Sequence, residues 1–135
     1  LLKLFSQGVF VVIGLGANCF STMGAGIAAQ IKEKHPDAYY ADIYSNLTPE
    51  QKLGNYTSND RCDILNIYSQ YNPGKNLDYE ALSLALRKIN DEFDGLSIGL
   101  PQIGCGIAGG DWEKVREIIK SELKSCDVTV VIYKK

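Results

Sequence analysis

Val9-Phe10-Val11-Val12-Ile13 runs into Gly14-Leu15-Gly16-Ala17-Asn18, and Ser21-Thr22-Met23-Gly24-Ala25-Gly26 follows. The opening run is β-branched and aromatic, the signature of a strand covered on both faces. The small residues behind it predict a tight exit from the sheet. Past Gly26, Ile27 and Ile31 recur at i, i+4 with Lys and Glu opposite, the pattern of an amphipathic helix. The same succession recurs near the other end of the chain. Ser97-Ile98-Gly99-Leu100 reads as a strand, and Pro101 stands at its end, where no ladder donor is needed. Gly104-Cys105-Gly106-Ile107-Ala108-Gly109-Gly110 follows as a second glycine-rich loop. Asp111 then stands as N-cap to a helix carrying Trp112, Val115, Ile118, Ile119 and Leu123.

Between these two units the pattern alternates. Pro36 ends the first helix or interrupts it before a last turn at Ala38-Tyr39-Tyr40. Thr48-Pro49-Glu50-Gln51 is a helix start, with Thr as N-cap, Pro at N1 and Gln at N3, and Gly54 closes it. Residues 62–68 read as the next central strand, and residues 71–76 as a loop by their turn chemistry. Tyr79, Leu82, Leu86, Ile89 and Phe93 recur at helical spacing, and Asp94-Gly95 stops that helix; residues 128–133 form a last strand. Strands alternating with helices imply an α/β fold with a mixed, largely parallel central sheet and helices on both faces. With no internal repeat, low-complexity tract or linker, residues 1–135 are expected to form a single domain.

Composition narrows the function. The chain has 135 residues, 45% hydrophobic and 22% charged, as in ordinary globular proteins. Fourteen basic against 16 acidic residues give a net charge of -2, and no basic cluster recommends a nucleic-acid partner. Cys19, Cys62, Cys105 and Cys126 form no CxxC pair. They read as reduced thiols of a cytoplasmic protein, with no metal site. No stretch reaches the ~20 apolar residues of a membrane span, and residues 9–15 lack the flanks of a signal peptide. The two Asn-x-Thr triplets, at Asn46 and Asn55, read as chance matches. A monomer with a small-molecule ligand and no cofactor is expected.

The chemistry is expected where the two strand-to-helix crossings, residues 16–26 and 104–111, reach the carboxyl edge of the sheet. Loops without side chains let backbone N–H groups approach an anion closely, and a helix N-terminus behind them favours negative charge. Two such cradles on one edge suit a diphosphate. GxxxxGK[ST], a GxGxxG opening the first helix, and GxSxG are all missing, which speaks against an NTPase, a Rossmann dinucleotide domain and a serine hydrolase.

These residues resemble the macrodomain family. Residues 18–28 are similar to the first ligand loop of its compact branch, which holds phage and fungal ADP-ribose 1″-phosphate phosphatases and the terminal ADP-ribose glycohydrolase. Residues 100–112 are similar to its second loop, and residues 67–72 to the segment before its third helix. The resemblance implies a three-layer α/β/α macrodomain. Loop one, with Asn18, Thr22, Met23, Gly24, Ala25, Gly26 and Ile27, would wrap the distal ribose; Gln70 and Tyr71 would stand beside it. Loop two, with Gly104, Cys105, Gly106, Ile107, Ala108 and Gly109, would hold the diphosphate. The family's adenine-contacting acid lies just ahead of the first strand, where this chain has Leu1-Leu2-Lys3-Leu4-Phe5.

Turnover has fewer matches. Leu15 stands where phosphatases of the branch carry a histidine, Gln70 near the glycohydrolase lysine and Ala108 at its aspartate. His35 reads as a solvated helix-end residue. Asn18 and Asp111 are the catalytic candidates: Asp111 either orients a water toward a terminal phosphate or simply caps its helix. Tyr68 and Tyr71 either shape the distal pocket or belong to the core. The expected activity is hydrolysis of ADP-ribose 1″-phosphate to ADP-ribose. The alternatives are a non-catalytic ADP-ribose reader and, last, an ADP-ribosyl hydrolase.

Overall fold

A computed structural model describes residues 1–24 and 26–132, so Ala25 of loop one and Tyr133 of the expected last strand lie outside the described residues. In chain order the elements are α1 (Leu2–Ser6), β1 (Val12–Asn18), α2 (Gly26–Lys34), α3 (Pro36–Ile43), α4 (Pro49–Lys52) and β2 (Tyr56–Ser58). There follow β3 (Ile64–Gln70), α5 (Tyr79–Glu92), β4 (Ser97–Leu100), α6 (Trp112–Glu122) and β5 (Asp127–Val130). The sheet has five strands in the order β2-β3-β1-β4-β5. β1 pairs in parallel with β3 and β4, and β4 with β5, while β2 runs antiparallel along β3. The sheet is thus mixed and largely parallel, as expected, with β1 at its centre.

Alternation along the central strands divides two apolar cores. Val12, Leu65, Ile67, Ile98 and Leu100 face α5 and α6, meeting Leu82, Ala85, Leu86, Ile89, Val115 and Ile119. Ile13, Leu15 and Ile64 face the other way, against Leu2 of α1, Ile31 of α2 and Ala38 of α3. Each fully buried Val, Leu or Ile side chain among them contributes about 1.5–3 kcal/mol. These are the three α/β/α layers.

The glycines of β1 are part of the strand, and this corrects the expected exit at Gly14. A Cβ on Gly14 would sit 2.8 Å from Ile67 Cδ1 and 2.9 Å from Leu100 Cδ2, so only glycine lets those side chains close over the central strand. The strand accordingly begins later than expected. Val9 and Val11 are exposed and lie before it, and only Phe10 turns inward, packing against Gly99. Pro36 starts a new helix at its N1 or N2 position, where its missing N–H costs nothing. Thr48 forms the expected capping box with Gln51.

Candidate functional site

A cleft of about 480 Å³ opens at the carboxyl ends of β1, β3 and β4. Its walls come from Gly16, Ala17 and Asn18 at the end of β1, from Thr22, Met23 and Gly24 of loop one, and from Gly26, Ile27 and Ala28 at the start of α2. Gln70, Pro73 and Gly74 close it from the β3 side. Pro101, Gln102, Ile103, Gly104, Gly106, Ile107 and Ala108 close it from the β4 side. The two glycine loops therefore border one hollow. Of the binding and catalytic candidates read from the sequence, Tyr68, Tyr71, Cys105, Gly109 and Asp111 stand outside this lining.

Loop two is shaped from within. Gly104 and Gly109 have φ of +72° and +75°, which L side chains rarely adopt. Gly110 N–H donates to the Gly104 carbonyl at 2.6 Å and Gly109 N–H to that of Gly106 at 3.0 Å, folding the loop back on itself. The N–H groups of Gly106, Ile107 and Ala108 find no acceptor among the described residues. Three successive amides are thereby left without a protein acceptor, as in loops that hold an anion. A Cβ on Gly106 would meet nothing within 4 Å, so this residue opens directly into free space. Cys105 turns its thiol inward, donating to the Ile103 carbonyl at 3.4 Å, and burial pushes that thiol's pKa up. Asp111 is exposed and caps α6: its carboxylate accepts from Glu113 N–H at 3.0 Å, while its own N–H donates to Tyr79 Oη at 2.9 Å.

Loop one starts at an irregularity of pairing, because the β1–β3 register shifts between Ala17 and Asn18, bringing Asn18 opposite Gln70. The Asn18 carboxamide is engaged locally, accepting from Phe20 N–H at 2.9 Å and donating to Thr22 Oγ1. It fixes the bend of the loop. Ser21 takes a φ of 60° and Met23 tucks into the core at 4% exposure. Gln70 pins the turn after β3, donating to the Asn72 and Gly74 carbonyls at 2.8 and 3.0 Å. Tyr71 lies beside Phe20, ring edge to face with centroids 5.0 Å apart, and donates to Glu50. Cys19 is buried beneath, its thiol raised to about 11 chiefly by desolvation. Leu15 is fully buried in the core between β1 and α2.

The sequence reading missed one ionisable group on the cleft wall. Asp42, on α3, is 1% exposed and pairs with Lys52 at 2.9 Å, itself 5% exposed. Tyr68, fully buried, donates to the same Asp42 oxygen at 2.6 Å, and burial followed by this bond raises its pKa. Tyr68 is thus a core residue. Nothing in local sequence marks Asp42, because an acid among tyrosines on a short helix reads as surface; only the tertiary approach of α4 buries it.

A second hollow, about 670 Å³, lies at the opposite end of the sheet and includes Phe5, Phe10, Lys34, His35 and Arg61. His35 belongs there, edge-on to Phe5 at 5.9 Å, far in the fold from loops one and two. The acids of that hollow, Asp37 and Asp63, are both tied to Asn59, at 2.9 and 2.7 Å. Larger volume does not make it the better site: unlike the loop cleft, it does not lie at the carboxyl ends of the strands, where loops lead into helices.

Comparison with known proteins agrees with this geometry. A 17.5 kDa protein encoded in the tk-vs intergenic region of Enterobacteria phage T4 is 29% identical over 97% of this chain and 90% of its own length. A DNA ADP-ribosyl glycohydrolase of Mycobacterium tuberculosis is 29% identical over 86% of this chain, a match that spans only 36% of that longer protein. The solved macrodomain of Mycobacterium tuberculosis DarG superposes with a TM-score of 0.69 at 26% identity, covering 93% of this chain and 90% of that one. Residues 16–119 match the Macro domain family. The α/β/α layers, the sheet and the matched span together establish that this chain belongs to the Macro domain family.

Proposed function

We propose that the cleft binds ADP-ribose and that the chain hydrolyses ADP-ribose 1″-phosphate to ADP-ribose. The observation that carries the binding is the run of N–H groups without an acceptor among the described residues at Gly106, Ile107 and Ala108, which line one hollow together with the N-terminal start of α2. Loop two holds the diphosphate through these amides; each hydrogen bond to a charged oxygen is worth about 1.5–3 kcal/mol. Loop one and Asn18 shape the space for the distal ribose. The names of relatives support a ligand of this kind, since one is a DNA ADP-ribosyl glycohydrolase.

For the phosphatase step, water attacks phosphorus, the bond from phosphorus to the 1″ oxygen breaks, a proton from water passes to the 1″ oxygen to give ADP-ribose, and inorganic phosphate leaves. Amide donors and the dipole of α2 stabilise the charge on the phosphoryl oxygens without a proton-transferring histidine. Asp111, engaged as the cap of α6, has no part in this step.

A second reading, a non-catalytic ADP-ribose reader, is favoured by one observation: apart from Asp42, no described residue lining the cleft has an ionisable side chain. Calorimetric titration with ADP-ribose together with phosphate release from ADP-ribose 1″-phosphate separates the two. Binding with phosphate release supports the phosphatase; binding without release makes the chain a reader; no binding removes both.

A further inference from the structure

The two oxygens of Asp42 have unequal surroundings. Oδ1 accepts three hydrogen bonds, from Lys52 Nζ at 2.9 Å, Tyr68 Oη at 2.6 Å and Ser21 Oγ at 3.0 Å. Oδ2 is equally buried and has no partner among the described residues. The two oxygens are chemically equivalent, so whichever one takes these three donors, the other is left without one. A buried acceptor left without a donor is destabilising, more so when charged, and buried polar groups in folded proteins are nearly always satisfied. Asp42 also stands on the cleft wall at the loop-one end, where Ser21 ties it to loop one.

Charge decides what kind of group it takes. Lys52 compensates the carboxylate within the protein, so Asp42 presents an acceptor without placing an unbalanced negative charge beside an anionic ligand. An acceptor-only oxygen repels phosphate oxygens and takes a neutral O–H. We propose that Asp42 is a specificity-determining residue whose Oδ2 accepts a hydrogen bond from a hydroxyl of the sugar at the loop-one end. This rests on the reading of the cleft as an ADP-ribose site.

The test compares ADP-ribose with ADP, which carries the diphosphate but lacks the distal sugar. In Asp42→Asn, the amide oxygen stays with its three donors and an N–H group replaces Oδ2. Calorimetry is expected to show ADP-ribose binding weakened about 10-fold or more, with ADP binding changed less than about twofold. Because this variant leaves Lys52 buried without its counter-ion, the double variant Asp42→Asn, Lys52→Met is measured beside it, and the same selective loss is expected. A crystal structure of the wild-type complex supplies a readout independent of either variant's folding: a sugar hydroxyl within about 3 Å of Oδ2. Equal loss for both ligands, or no loss, overturns the proposal, as does a complex in which no sugar hydroxyl reaches Oδ2. Wild-type protein that binds no ADP-ribose overturns the site reading and this inference together; wild-type binding with an unchanged preference in the variants overturns the inference alone.

Discussion

At the residue scale, the glycines separate into those that build the fold and those that open the cleft. Gly104→Ala places a Cβ 2.6 Å from Leu77 Cδ1 at a φ of +72°, so the expected cost is about 1–3 kcal/mol in urea unfolding, through strain and overpacking together. Gly106 has neither constraint, and Gly106→Glu is expected to keep its melting temperature within a few degrees. It nevertheless puts bulk and charge on the diphosphate path and is expected to weaken ADP-ribose binding at least about 100-fold by calorimetry. A folded Gly106→Glu that still binds removes loop two from the site. Cys19 gives a pH prediction. Its folded-state pKa of about 11 lies above the ordinary thiol value of 9.0, so the unfolded chain loses this proton first as pH rises. Stability is fully present below about pH 9 and falls toward pH 11 by up to about 1.4 kcal/mol per pH unit from this group. Cys19→Ala should flatten the dependence in urea titrations across that window; an unchanged slope would assign it elsewhere.

At the scale of elements, Asp111 is the test case. As the N-cap of α6 it accepts from Glu113 N–H, and Asp111→Ala is expected to cost about 1 kcal/mol of stability while phosphate release and ADP-ribose affinity stay unchanged. A fall in turnover at full stability would return Asp111 to the reaction. Helices were the most legible elements, because their signals are local: the apolar stripe from Tyr79 to Phe93 gives α5, Thr48 and Gln51 give the box of α4, and Asp111 gives the start of α6. Strand limits were less so. Gly14 and Gly16 read as loop residues, yet each is demanded by a neighbour contributed from elsewhere, Ile67 and Leu100 over the first and Ile103 over the second. β2, three residues long at the edge, has no periodicity to detect. α1 is five residues long and fully buries only Leu2.

At the scale of the whole molecule, the two glycine loops were readable because small residues after a strand are a local sign, and the alternating topology brings both to one edge. Asp42 was not readable, because its burial depends on Lys52 and Tyr68, which arrive from α4 and β3. The central claim is that main-chain donors from loop two meet a diphosphate in the cleft shared with loop one. Backbone amide resonances recorded by NMR while ADP-ribose is added test it most directly. The largest downfield shifts are expected at Gly106, Ile107 and Ala108, smaller ones at Gly26 and Ile27, and none at Lys34 or Arg61. Shifts confined to the hollow around His35 and Arg61, or no shift at loop two with saturating ligand, would contradict it.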